Sequence, residues 1–438
     1  MPDNSVAILF SAPIYYMSPH VFYPFRQNSN FMYLTGFNEP SSAVVIEKKG
    51  NVSRSYMMTM FVQPKDANAE VWDGPRSGIE AAVDTFGADQ AFSINEFGGF
   101  IGKVIKNGGS DRLVYADIPS ANERQVRSES SKLLEICKEL NVGPRLNPIS
   151  QLVQNLRLTK SKAEVNLMRE ANRISAEGFK AAMRLCRPGI NEQALANEFE
   201  AEFRRAARSP LESDNVNTRS GLGDGAALSR WAYVPVVASG SHALVMHYVQ
   251  NNRRIRSGEL VLIDAGAEFA SYAADVTRTF PTEGRWASAT QRDLYSAVLE
   301  VQKACLKLCN ASSGYSLNEL HNYSSELLRG ELRRLGLQFS SNEFETRLYP
   351  HHLAHYLGLD VHDTPDMSRS QPLKPGMVVT VEPGIYIPID PQYPKEFQGI
   401  GIRIEDNIVI GQSEEDSENL SVNCPKSVEE IEEIMSLD

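Results

Sequence analysis

The 438-residue chain is short of cysteine, of positive charge and of long apolar runs. Its five cysteines (Cys137, Cys186, Cys305, Cys309 and Cys424) are scattered and odd in number. That excludes a disulfide framework and points to free thiols in a reducing compartment. Cys305 and Cys309 stand four apart in a helical-looking segment, but no second pair accompanies them to complete a metal tetrahedron. They read as small buried apolar residues. Lys and Arg number 44 against 55 Asp and Glu, a formal net charge of −11, whereas a nucleic-acid binder needs a basic surface. No apolar run approaches the roughly 18 residues that a membrane-crossing helix requires. The remainder, 42% hydrophobic and 23% charged residues, has globular composition.

At this length two domains are a better expectation than one core. Residues 1 to about 150 interleave strand-like runs (6–10, 42–47, 55–62 and 112–118) with helix-like ones (79–86, 96–106 and 121–140), the pattern of a small α/β domain. Two segments there, 22–40 and 70–78, are rich in aromatic and turn residues, which reads first as packing and turn chemistry. A fresh start comes near residue 156. Ser161 and Glu164 form a capping box, and Val165, Met168, Ala171, Ser175, Phe179 and Ala182 follow at helical spacing. Arg187–Pro188–Gly189 breaks that helix, and Asn191 is placed to cap a second one through Phe203. From about 231 the pattern turns to strands, with another helical pair at 290–310 and 316–335. No internal repeat is visible. Met1–Asn4 run straight into a strand pattern, with no signal peptide or Arg-rich presequence, which leaves a cytosolic protein or one whose leader has been removed.

The chemistry concentrates in four acids and a group of histidines. Val261–Ala265 and Tyr272–Thr279 read as two strands joined by a turn at Gly266, with Asp264 on the face opposite Ile263 and Asp275 on that of Thr277. Apolar strands seldom carry carboxylates, because burying one unpaired is costly, and two across a hairpin call for a cation between them. A second hairpin repeats the arrangement. Thr380 and Glu382 share a face, Glu382 preceding the Pro383–Gly384 turn, while Gly401, Arg403 and Glu405 oppose Ile400, Ile402 and Ile404. Between the hairpins, His351 and His355 stand four apart and His362 seven further on. A glutamate after the first histidine would make this a mononuclear zinc motif; His352 stands there instead. Four carboxylates with one imidazole suit Mn²⁺, Co²⁺ or Zn²⁺, and two divalent ions would balance a charge of about −4 and activate water for amide hydrolysis. His247, taken alone, reads as structural.

At this point the motifs GELVLIDAG, YAADVTRTFP, HHLAHYLGLDVHDTPD, LKPGMVVTVEPGIYI and GIGIRIEDNIVI together resemble the aminopeptidase P family. YPFRQNSNFMYLTGFNEP and VWDGPRSG resemble that family's auxiliary domain. The likeness spans nearly the whole chain in family order and is strongest to the mitochondrial branch. It implies an α/β N-terminal auxiliary domain (1–150) and an α+β "pita-bread" metallopeptidase domain (156–438). It also implies a dinuclear centre, most often with Mn²⁺ and otherwise Zn²⁺ or Co²⁺, whose ligands are Asp264, Asp275, His355, Glu382 and Glu405, with Asp275 and Glu405 bridging. By the same resemblance Glu382 doubles as proton shuttle. His247 and His362 hydrogen-bond the substrate carbonyl or the tetrahedral intermediate, His351 lies near the pocket for the second substrate residue, and Tyr233 contacts substrate. Arg403 and Tyr386 form a relay that orients the ligands. Trp72, on a glycine-rich loop, is expected to reach a substrate pocket.

The implied activity is an aminopeptidase that takes one residue from peptide or protein N-termini, either before proline or as a trimming step on imported mitochondrial precursors. The implied partners are those N-termini and a second copy in a homodimer, with neither nucleic acid nor membrane; the implied location is mitochondrial, with cytoplasmic as the alternative. A prolidase-type dipeptidase shares the metal set. A metal-free pita-bread protein, whether a binding module or a creatinase-type hydrolase, predicts replacement of at least one acid, and all four are present.

Overall fold

The strand Ser5–Phe10 is buried at every residue because both faces of its sheet are covered. Val6, Ile8 and Phe10 pack with Phe61, Phe97 and Ile101 on one side, and Ala7 and Leu9 pack with Phe31, Met60 and Val62 on the other. A strand covered on both faces reads as an unbroken apolar run rather than an alternation. In this computed structural model, which describes residues 1–48, 56–117, 128–140, 146–207 and 228–436, that strand is central to a six-stranded mixed sheet. It pairs antiparallel with Ala43–Lys48 and parallel with Leu113–Ala116. Tyr56–Val62 continues the sheet antiparallel, and Gln90–Ser93 and Leu146–Asn147 form the edges. Gly78–Asp84 and Phe97–Asn107 are the expected helices. The one expected over 121–140 is present as Ser128–Glu139, and residues 121–127 lie outside the described residues.

The two aromatic segments divide. In the first, Asn28 caps the helix Ser29–Thr35 by accepting from the Phe31 N–H, and Gly36 ends it at φ 65. Phe31 and Phe37 are buried there, whereas Phe22 and Tyr23 are exposed. In the second, Trp72 does not stand on a loop. Asp66 accepts from the N–H groups of Asn68 and Ala69 and so starts a helix, Ala67–Asp73, on which Trp72 is 86% exposed. The first compact unit runs through the helix Ser150–Arg157 and ends at Arg157; the second spans Leu158–Asp438.

The second unit opens with Ser161 and Glu164 closing their capping box on the helix Lys162–Leu185. Asn191 caps Glu192–Ala206 through the Gln193 N–H, and the two helices pack so closely that a side chain at Gly178 would lie 2.7 Å from the Phe199 ring. The sheet that follows aligns Leu260–Ala265 between Val236–Ser239 and Val276–Pro281, all antiparallel. A second helical pair, Ala289–Lys307 and Leu317–Arg334, precedes a second set of strands. There Val378–Val381 pairs with Asp406–Val409, and Gly384–Ile387 with Ile400–Arg403. The first hairpin is more broken than a single turn at Gly266. Ala267–Phe269 and Tyr272–Ala273 leave it to form a separate ladder with Ser229–Trp231. Gly266 permits the departure, since a Cβ there would sit 1.9 Å from the Ala274 carbonyl oxygen. Among the described residues no helix is long and apolar enough to cross a membrane.

Candidate metal centre

All four acids stand where strands end or break. Asp264 is the penultimate residue of its strand, and Asp275 falls between Tyr272–Ala273 and Val276–Pro281. Glu382 follows Val378–Val381, and Glu405 separates Ile400–Arg403 from Asp406–Val409. A strand end frees a carboxylate from the ladder while the ladder still fixes its backbone. Here all four reach one cavity of about 250 Å³, which His247, His351, His352, His355, His362 and Arg403 also line. Asp275, His355 and Glu405 each turn a ligand atom toward a common point, all within 4.8 Å of one another. The expected five ligands are therefore brought together. Tyr233 and Tyr386 do not line the cavity.

Hydrogen bonds decide how each group is presented. The His355 Nδ1 lies 3.1 Å from the Tyr356 carbonyl oxygen, which accepts its proton and leaves Nε2 facing Asp275 and Glu382 at 3.4 and 3.5 Å. Arg403 is the organiser. It donates to Asp264 Oδ2 at 2.5 Å, to the Tyr386 hydroxyl at 2.8 Å and, through Nε, to Thr277 Oγ1 at 3.0 Å. Thr277 in turn donates to Glu405 Oε2 at 2.7 Å, and Tyr386 donates to His351 Nε2 at 2.9 Å, whose Nδ1–H is taken by the His352 carbonyl. Gly384 is required here, because a Cβ would lie 2.7 Å from the Tyr386 hydroxyl. Tyr233, expected at the substrate, places its hydroxyl 2.6 Å from both Asp264 Oδ1 and Asp275 Oδ1. One O–H proton serves only one of them.

The electrostatics are those of a site short of positive charge. Burial, with the other carboxylates, pushes Glu405 well above the usual carboxylate range and Glu382 up to about 7. Burial also raises Asp264, against Arg403. Asp275 is lowered, because His355 outweighs burial. Burial works against a charge on His355 as well, but Asp275 and Glu382 overcome it and push the imidazole up to about 9. His351 is driven the other way, to about 3, by burial and then Arg403, and so stays neutral. Glu405 Oε1 is buried and has no hydrogen-bond partner among the described residues, which is costly unless a cation meets it. The donor set, oxygen-rich with one imidazole Nε2, fits a divalent ion.

Some residues that shape the site escaped the sequence reading. Asn407 grips the backbone of Asp275 from both sides, accepting from its N–H at 3.0 Å and donating to its carbonyl at 2.5 Å. Arg278 is fully buried and donates to the carbonyls of Thr277 and Glu405 at 2.9 and 2.5 Å. Its signal was present: Arg278 alternates with Val276 and Phe280 on the apolar face of a strand, as anomalous there as the aspartates.

The sequence matches Metallopeptidase family M24 over residues 166–412 and the aminopeptidase P N-terminal domain over residues 1–115. It is 40% identical to Xaa-Pro aminopeptidase 3 of Mus musculus over 440 residues, 99% of this chain and 81% of that protein. It is 38% identical, at the same coverage, to intermediate cleaving peptidase 55 of Saccharomyces cerevisiae. The crystal structure of Icp55 from that yeast superposes with a TM-score of 0.85 at 36% identity, over 100% of this chain and 94% of that one. Zinc-substituted Escherichia coli aminopeptidase P in complex with product gives 0.84 at 34% identity, over 99% and 94%. The architecture is thus the expected α/β N-terminal domain with a pita-bread metallopeptidase domain.

Proposed function

The chain belongs to metallopeptidase family M24 and is a metalloaminopeptidase with an aminopeptidase P N-terminal domain, and from that premise we propose that it removes single residues from peptide and protein N-termini with two divalent ions held by Asp264, Asp275, His355, Glu382 and Glu405. The observation that supports the ligand set best is the convergence of Asp275, His355 and Glu405 within 4.8 Å, at a point where Glu405 Oε1 has no donor. The donor set suits Mn²⁺, Zn²⁺ or Co²⁺, and the family resemblance inclines the choice to Mn²⁺. When bound, two such ions supply a nucleophile at neutral pH and stabilise the charge that develops on the scissile carbonyl oxygen.

The protein's own groups supply the rest. Glu382, at a strand end on the cavity wall, is placed to take the proton of the attacking water and return it to the leaving amine. His247 and His362, on the cavity wall, are suited to donate to the carbonyl oxygen as it gains charge. His351, held neutral with Nε2 turned to Tyr386, shapes the pocket for the second residue. Arg403 and Tyr386 keep the carboxylates and His351 in register, so that no reorganisation is needed as charge moves. Tyr233 holds Asp264 and Asp275 in place from outside the cavity lining.

The names of the relatives, Xaa-Pro aminopeptidase and intermediate cleaving peptidase, support either cleavage before proline or trimming of an imported precursor. An Arabidopsis thaliana relative named as mitochondrial supports a mitochondrial location over a cytoplasmic one. A homodimer completes the reading. The test is cleavage by metal-reconstituted enzyme of peptides varied at their first two residues, with N-acetylated peptides and Xaa-Pro dipeptides as controls. Release of one free N-terminal residue, with two ions per chain by mass spectrometry, is expected. Cleavage of blocked peptides, or of dipeptides alone, overturns it.

A further inference from the structure

The loop from Gly358 to Thr364 delivers His362 to the cavity, yet the His362 side chain is itself exposed. Its one ring contact is edge-on to His355, with centroids 4.6 Å apart. What fixes the loop lies one residue on. The Asp363 carboxylate is completely buried and meets Lys160 Nζ at 3.0 Å, with the two side chains 0% and 1% exposed. Its second oxygen accepts from the Asp360 N–H at 3.3 Å, and its backbone N–H donates to the Tyr356 carbonyl at 2.9 Å. The carboxylate is seated against a bare glycine: a Cβ at Gly358 would lie 2.7 Å from Asp363 Oδ2 and 2.9 Å from Lys160 Cε. Lys160 is itself anchored, its N–H donating to the Gly376 carbonyl at 2.8 Å.

Directly after this pair the backbone is strained. Thr364 is buried, adopts φ 47 and precedes Pro365, a left-handed conformation that β-branched residues avoid and that survives only where the surroundings impose it. A buried ion pair is weak evidence for stability, since desolvation of both charges offsets their attraction, whereas it does restrict geometry. Two such costs directly after one cavity histidine are what a device for holding that histidine requires.

We propose that Lys160 and Asp363 are a positioning pair that sets the place of the His362 imidazole in the cavity. The inference rests on the catalytic reading of His362, and its test separates the two. Lys160→Met should lower kcat about 10- to 100-fold, as a misplacement near 1 Å does, with KM and bound metal nearly unchanged. In a His362→Ala background the same change should cost less than about twofold, because coupled groups do not add. A crystal structure of Lys160→Met should show the His362 ring displaced while His355 stays. Unchanged kcat, an equal loss in both backgrounds or an unmoved ring overturns the pair's role. Normal turnover of His362→Ala alone overturns the catalytic reading, and the ring position then decides the positioning by itself. Should Lys160→Met not fold, Asp363→Asn, which keeps the shape, carries the same measurements.

Discussion

Glu405 and Asp406 are neighbours in the chain and equally buried, at 2% and 0% exposure, but they live in opposite electrostatic worlds. Asp406 receives Arg278 at 2.7 Å, Gln302 and Asn419 at 2.9 Å, and the Lys426 ammonium. Burial would raise its pKa, but Arg278 and Lys426 outweigh that and hold its carboxyl well below the usual range. Glu405 receives one hydroxyl, from Thr277, and its other oxygen receives nothing from the described residues; burial and its acidic neighbours push it far upward. The fold answers one buried carboxylate with its own cations and leaves the next one short. A carboxylate that is fully answered is architecture. One left short in a cavity with three other acids and an imidazole is a place for a cation from outside. The two sides are also joined: Arg278, while answering Asp406, donates to the Glu405 carbonyl and so fixes the backbone of the residue that is left short.

The largest expected effect is on the cation-poor side. Asp275→Asn should leave the fold intact, empty the site of metal and reduce turnover by roughly 10³-fold or more. Metal content by mass spectrometry and peptide cleavage measure both, and an active, metal-replete variant would break the comparison. Next in size is the reverse asymmetry in stability. Asp406→Asn leaves the buried Arg278 and the half-buried Lys426 without their anion and should lower the stability of the metal-free protein by about 3–5 kcal/mol. Glu405→Gln removes a carboxylate that had too few donors and should leave metal-free stability unchanged or improved. Urea midpoints of the two variants decide it; equal losses would mean that the two acids are not different in kind.

How much of this was legible in the sequence depended on range. Caps and helix starts were, because Ser161 and Glu164, or Asn191 and Gln193, interact within one turn. The sheet of the first unit was legible as strands but not as an order, since pairing joins residues a hundred apart, as Val6 does with Val114. Alternation placed Glu382 with Thr380, and Arg403 with Glu405, on polar faces but did not say whether those faces were solvent or interior; burial at 2% for Glu405 and 4% for Arg403 does. The first hairpin was read as simpler than it is, because Gly266 looks like a turn residue and instead lets the chain leave one ladder for another. The pairings of Lys160 with Asp363 and of Arg278 with Asp406 were invisible: even where Arg278 stands out on an apolar strand face, nothing local names its partner, and 203 and 128 positions separate the two pairs.

A third, smaller effect follows from pH. Glu382, at about 7, is above its unfolded value, so the folded metal-free protein binds more protons there than the unfolded chain and stability falls as pH rises through that range. His355, raised to about 9, contributes stability that is present below its ordinary value and is lost as pH climbs through 9. The signs agree. The metal-free protein should lose stability steadily between about pH 5 and 9, by about 3 kcal/mol for Glu382 alone. Ion binding should release protons, so that stabilisation by Mn²⁺ grows over the same interval. Thermal melts with and without Mn²⁺ measure it, and a metal-free protein that gains stability over that range would place the four acids outside one electrostatic cluster.

The smallest effect concerns a neutral donor on the cation-poor side, the Tyr233 phenol. Tyr233 offers one proton to two carboxylates, 2.6 Å from each, and burial with the nearby acids keeps that proton on the phenol at any working pH. It is a weaker answer than the Arg403 guanidinium on Asp264 or the His355 imidazole facing Asp275: a dipole rather than a charge. Tyr233→Phe should cost the metal-free protein about 1.5–3 kcal/mol, the value of one hydrogen bond to a charged group, less than loss of the Asp406 anion. If the phenol also touches substrate, KM for short peptides should rise with bound metal unchanged. If it serves only to hold the two carboxylates, KM should stay level, and the whole change should appear in the urea midpoint of the metal-free protein.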